Sequence, residues 1–229
     1  MNRELVSAAG AALGKNLVKS LLVATLAVSG FAHAQHPAPV SAKADAQKGG
    51  QIYDNGDPAR GLPSCASCHG AAGNSTIVAN PKLSGQAEAY THKQLVDFTT
   101  PQRQHPVMTT YAKLLTEEEK RHLAAFLAKT EPKQGAAKNK DTIDLGKNIY
   151  RGGNAANGVA ACASCHAPNG SGIPAQYPRL AGQHQDYTIA QLNNFRTGAR
   201  NNSVQMTAIA KRMSDEEIKA VADYIAGLK

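Results

Sequence analysis

The chain has 229 residues, a formal net charge of +8 and few aromatics, 5% of the total with no tryptophan. That length suits two small domains, and so few large rings leave each of them short of core unless another apolar body is packed inside. The basic residues are spread over both halves, with no run of five like charges and no interleaved aromatics. This argues against nucleic-acid binding and allows weak attraction to acidic partners or an anionic membrane surface.

The N-terminus reads as an export signal. Arg3, Lys15 and Lys19 flank or precede an apolar run from Leu21 to Ala32, and Ala32-His33-Ala34 has the small-x-small form of a cleavage site. Residues 1–34 are therefore read as a signal peptide cleaved after Ala34. A retained anchor is the alternative, but the run is short for the ~20 apolar residues of a membrane span. Removing the leader takes away three basic residues and Glu4, and the remainder stays basic. Residues 35–43 are small and polar with two prolines and read as a flexible leader.

A short helix is expected over residues 44–53. Gly56, Pro58, Gly61 and Pro63 then form a loop that ends at Cys65-Ala66-Ser67-Cys68-His69. Residues 70–80 are loop-like, and Pro81 to Gln86 leads into a helix near residues 87–99. Another loop carries Met108. Thr116-Glu117-Glu118-Glu119 opens the last helix of this half with a capping box, and that helix runs to about Lys129. Residues 131–140, rich in Lys, Gly, Ala and Asn, are the linker.

The pattern then repeats. Ile52-Tyr53 recurs as Ile149-Tyr150, and the Cys-x-x-Cys-His run recurs as Cys162-Ala163-Ser164-Cys165-His166. Pro81-Lys82-Leu83-Ser84-Gly85-Gln86 becomes Pro178-Arg179-Leu180-Ala181-Gly182-Gln183. Tyr90, Leu95 and Phe98 become Tyr187, Leu192 and Phe195, and Met108 becomes Met206. The capping box returns at Ser214 and Glu217. Each half, 44–130 and 141–229, is thus read as helix–loop–helix–loop–helix, and no strand pattern stands out.

Cys-x-x-Cys-His is the attachment pattern of c-type haem. Two thiols add to the porphyrin vinyl groups, and the next histidine turns under the iron. All four cysteines fall in the two motifs, so two covalent haems are expected and no cysteine is left over. Disulfides, or a zinc or structural site built on the cysteine pairs, are the alternatives. Neither accounts for the two following histidines or for the repeated methionine. His69 and His166 are the axial histidines. The far side of each iron needs a second ligand, and Met108 and Met206 are the candidates because they alone recur. Met213 matches Leu115 and reads as core. His105 has no histidine counterpart and reads as an exposed loop residue, with a claim as alternative ligand in the first half. Pro81 and Pro178 lie at equal spacing after the axial histidines. Each either accepts the histidine's other ring N–H or only shapes its loop.

The haem motif, the Pro-x-Leu-x-Gly-Gln run, the Tyr/Leu/Phe helix and the methionine before a capped terminal helix resemble a class I cytochrome c. Two of them in tandem behind a signal peptide resemble the dihaem cytochrome c4 family over nearly all of the chain beyond the leader. The resemblance implies an all-α fold of two tandem class I cytochrome c domains, each wrapped around one covalent haem. It implies thioether bonds at Cys65, Cys68, Cys162 and Cys165, and iron ligands at His69, Met108, His166 and Met206. Pro81 and Pro178 would be the carbonyl partners of the histidines, with Leu83 and Leu180 packed on the haems. The domains would face each other about a pseudo-twofold. The implied function is a periplasmic electron carrier, not an enzyme, between a quinol-oxidising cytochrome complex and a terminal oxidase. A haem subunit of a periplasmic dehydrogenase is the main alternative, and a dihaem peroxidase a lesser one.

Overall fold

The computed structural model describes residues 43–229. The export signal, its cleavage site and nearly all of the leader lie outside the described residues. Among the described residues the regular structure is helical, with only isolated β-bridges. In the first half α1 spans Ala46–Asn55, α2 Ala66–His69, α3 Glu88–Asp97, α4 Pro106–Leu114 and α5 Glu117–Lys129. In the second half α6 spans Ile143–Gly152, α7 Ala163–His166, α8 Gln185–Thr197, α9 Val204–Ala210 and α10 Asp215–Gly227. None of them is long and apolar enough to cross a membrane.

Local chemistry sets the helix ends. The Asp45 carboxylate accepts the Gln47 and Lys48 amides, so α1 starts two residues later than its composition suggests. Both expected capping boxes are present, Thr116 with Glu119 and Ser214 with Glu217. The two methionine segments, expected as loops, are instead the first turns of α4 and α9. Pro106 sits in the first turn of α4, and His105 Nδ1 accepts the Val107 and Met108 amides. At the equivalent place Ser203 Oγ accepts the Met206 amide at 3.3 Å. A proline behind a capping side chain is a helix start. The isolated methionine obscured it.

Each half has its own core. Tyr53, Leu62, Leu115, Leu123 and Leu127 form the first; Ile149, Tyr150, Leu192, Phe195, Met213 and Ile218 belong to the second. Met213 is core, as expected. In both halves the first helix crosses the last at a glycine. A Cβ on Gly49 would lie 1.9 Å from the His122 carbonyl oxygen, and one on Gly146 2.2 Å from that of Ala220. Behind the crossings Tyr53 meets Phe126 at 5.3 Å and Tyr150 meets Tyr224 at 5.6 Å between ring centroids.

The halves pack by reciprocal bonds, as a pseudo-twofold requires. Gln183 accepts the Lys82 amide and donates to the Lys82 carbonyl, at 3.0 and 2.9 Å. Gln86 does the same to Arg179, at 2.9 and 3.0 Å. The linker is bonded rather than loose. Asn74 holds the Glu131 carbonyl and the Lys133 amide, and the buried Asp223 carboxylate accepts the Lys138 and Asn139 amides.

Two outcomes are expected in the haem-loaded protein. Gly146→Ala, normally stabilising within a helix, should destabilise by about 1–3 kcal/mol because the crossing cannot admit a methyl group, as read by denaturant titration. Gln183→Ala should strip Lys82 of both partners and cost about 1–3 kcal/mol. In calorimetry it should also pull apart the unfolding of the two halves, and a single unshifted transition would contradict it.

Candidate haem-binding sites

The two Cys-x-x-Cys-His runs fold identically. Each forms one helical turn, α2 or α7, closed by the histidine amide bonding to the first cysteine's carbonyl at 2.9 Å. The chain then leaves at positive φ, at Gly70 (73°) and Ala167 (67°). The buried Tyr53 and Tyr150 hydroxyls donate to the carbonyls of these two residues, both at 2.7 Å. Each tyrosine thereby ties the first helix of its half to the turn behind the histidine. None of the four cysteines forms a disulfide. Burial pushes the Cys65 and Cys162 thiols up to about 11.

Both motif histidines are buried, His69 at 8% and His166 at 6% exposure. His69 Nδ1 lies 3.0 Å from the Pro81 carbonyl oxygen, and His166 Nδ1 2.9 Å from that of Pro178. A carbonyl only accepts, so Nδ1 carries the proton and Nε2 keeps its lone pair. Among the described residues Nε2 makes no hydrogen bond in either ring. Burial lowers both imidazole pKa values, outweighing the opposite pull of the proline carbonyls. A neutral, oriented imidazole with one free nitrogen is a metal ligand in waiting.

The other expected site residues lie on the same halves as their histidines. Leu83 and Leu180 pack against their respective cores beside Cys65 and Cys162. Met206 packs against the second core, and Met108 is half-buried on the equivalent turn. His105 is exposed, and its Nδ1 is engaged in capping α4, the part that Ser203 plays in α9.

Arg103 and Arg200 were not singled out in the sequence, although they recur at the spacing of the repeat. Each is only 6% exposed. Arg103 donates to Gln94 and Tyr187, and Arg200 to Gln191, Tyr90 and Gln94. The guanidinium carbons lie over Phe98 and Phe195, 4.1 and 4.4 Å from the ring centroids. Neither forms an ion pair with a carboxylate among the described residues; Asp97 reaches the network through Asn202. Burial lowers the Arg103 pKa. Against the effect of its own burial, the Tyr90 phenol is held below its usual value by the two guanidinium charges. Against the effect of its own burial, the Arg200 pKa is held above its usual value by Tyr90, Tyr187 and Asp97; two buried cations bonded mostly to neutral groups are nonetheless suited to an anion.

These residues fit haem c. Each half has paired thiols and one imidazole lone pair, and the two halves share buried cations suited to the acidic edge of a porphyrin. A zinc site fits less well, because among the described residues no three His, Cys, Asp or Glu side chains converge on a metal position.

Comparison with known proteins agrees with this geometry. Residues 143–229 match the family model described as cytochrome c, and residues 44–127 match that of the cbb3-type cytochrome c oxidase subunit III. Cytochrome c4 of Azotobacter vinelandii is 38% identical over 94% of this chain and all of its own. A thiosulfate dehydrogenase electron acceptor of Stutzerimonas stutzeri is 37% identical over 82% of this chain and 90% of its own. The crystal structure of reduced cytochrome c4 from Pseudomonas stutzeri superposes with a TM-score of 0.73 at 33% identity, over 81% of this chain and all of that one. The chain belongs to the cytochrome c4 family, dihaem electron carriers with one His/Met-ligated haem c in each of two cytochrome c domains.

Proposed function

We propose that Cys65 and Cys68, and Cys162 and Cys165, form the thioether bonds, with His69 and His166 as proximal and Met108 and Met206 as distal iron ligands. The observation that carries this reading is the pair of buried imidazoles, each donating Nδ1–H to a proline carbonyl and left with one free nitrogen. Bound haem supplies a one-electron store. The chain's residues hold it, exclude water and set its potential. Pro81 and Pro178 orient the imidazoles and raise their basicity as ligands. Leu83 and Leu180 supply apolar packing on the haems. Arg103 and Arg200 would neutralise haem carboxylates between the domains. The use of His105 Nδ1 to cap α4 supports Met108, the counterpart of Met206, as the first-domain ligand. A neutral thioether favours ferrous iron and raises the potential. With two protein ligands per iron there is no open position for a substrate, which fits a carrier.

The proposed setting is the periplasm, reached by the signal peptide. There the protein would move electrons from a quinol-oxidising cytochrome complex to a terminal oxidase, with loose attachment to the membrane surface allowed by its basic charge. A second reading is an electron acceptor of a periplasmic dehydrogenase. It is favoured by the similarity to the thiosulfate dehydrogenase electron acceptor.

The test is an optical spectrum of the protein matured in a periplasm. Two covalent haems per chain, low-spin, with a methionine–iron charge-transfer band and no response of the ferrous form to carbon monoxide are expected. Met108→Ala and Met206→Ala should each open one iron to carbon monoxide and leave both haems attached. A variant that stays six-coordinate without recruiting another ligand would remove that methionine from the assignment.

A further inference from the structure

The two candidate distal methionines are held in different ways. Met206 packs against the second core. Met108 is half-buried, and among the described residues it is not one of the side chains packed against the first core. Its neighbours Pro106 and Val107 are exposed. Apolar packing therefore does little to fix the first turn of α4, and hydrogen bonds are left to do it.

Those bonds converge on His105. Its Nδ1 accepts the Val107 and Met108 amides at 3.3 and 3.2 Å. Its own amide donates to Thr109 Oγ1 at 2.9 Å, and its carbonyl accepts the Thr109 amide at 2.9 Å. The imidazole also stands edge-on to the buried Phe98 ring, 6.5 Å between centroids at 68°, which ties the cap to the end of α3. At α9 the Ser203 hydroxyl caps one amide only, that of Met206, at 3.3 Å. The first half thus combines a strong cap with little packing around its methionine, and the second half the reverse.

We propose that His105 is a positioning residue for the first iron, holding Met108 in place as distal ligand through the cap on α4, whereas Met206 is held chiefly by its core. The inference rests on the His/Met ligation proposed above. A thioether is soft and neutral, and the harder ferric ion holds it weakly. Whether an outside base displaces it then depends on how readily the turn that carries it moves away. A side-chain cap opposes that movement by stabilising the turn. Each cycle of a carrier passes through the ferric state, so a well-held turn keeps the iron closed in both oxidation states.

The test is an imidazole titration of the ferric holoprotein. Covalent haem content, the methionine–iron charge-transfer band and the unfolding temperature are recorded for each variant. His105→Ala should raise the imidazole affinity of one haem per chain by about 5- to 30-fold. His105→Asn, whose side-chain oxygen can accept the same amides, should restore the wild-type affinity. Ser203→Ala should have a smaller effect than His105→Ala. In a Met108→Ala background, His105→Ala should add nothing, because the cap acts through the methionine. Unchanged imidazole affinity in His105→Ala would overturn the proposal, even if the unfolding temperature fell. So would a His105→Asn variant as open as His105→Ala, because the ring itself and not the cap would then be responsible. An effect of Ser203→Ala as large as that of His105→Ala would overturn it as well. Met108→Ala with both irons still closed to carbon monoxide would instead remove the ligand assignment on which the inference rests.

Discussion

The hydrogen bond from each motif histidine to a proline carbonyl is the constraint on which the rest depends. It fixes the ring, selects the tautomer and leaves Nε2 as a free lone pair. It can form only if the Cys-x-x-Cys-His turn and the Pro-x-Leu-x-Gly-Gln run are held at a set separation. Tyr53 and Tyr150 tie the back of the turn to α1 and α6. Those helices in turn cross α5 and α10 at glycines, where no side chain fits. The ligand geometry is thus inherited from two backbone crossings far from the iron positions in sequence.

The domain interface follows a different logic. Apolar burial holds each half together, whereas the contact between them is made of amides, phenols and guanidinium groups. Gln86 and Gln183 satisfy backbone groups of the opposite half, so neither half completes its own loop alone. Among the described residues Arg103 and Arg200 are buried without a direct carboxylate partner, and burial disfavours the Arg103 charge. Acidic groups of a bound porphyrin would relieve it. Haem binding and domain packing then stabilise each other, and loss of one should loosen the other.

Duplication makes the two sites comparable, and the comparison separates shared from individual chemistry. Histidine orientation, tyrosine support and capping boxes recur almost to the tenth of an ångström. The methionine helices recur in form but not in cap, with a histidine at one and a serine at the other. The residue before the bonding proline differs outright, Asn80 in the first half and Tyr177, edge-on to the His166 ring, in the second.

Much of this was legible in the residues. The Cys-x-x-Cys-His spacing is local covalent chemistry, and it identified cofactor and number before any fold was known. The repeat, the capping boxes and the core role of Met213 were also readable, because helix periodicity and end chemistry act over a few positions. The helix around Met108 was missed because the capping signal of a histidine is weak, and the one around Met206 because, despite its Ser203 cap, it is only about two turns long. Arg103 and Arg200 look like ordinary surface arginines in the sequence, and the linker looks like a free tether. Their burial and bonding arise from groups roughly 60 to 110 positions away. The sequence by itself determined the two haem attachments, the all-helical repeat and the candidate ligands. Only the tertiary structure decided the histidine tautomers, the polar domain interface and the Tyr177 ring beside His166, because each depends on which distant groups the packed chain brings within hydrogen-bond or ring contact.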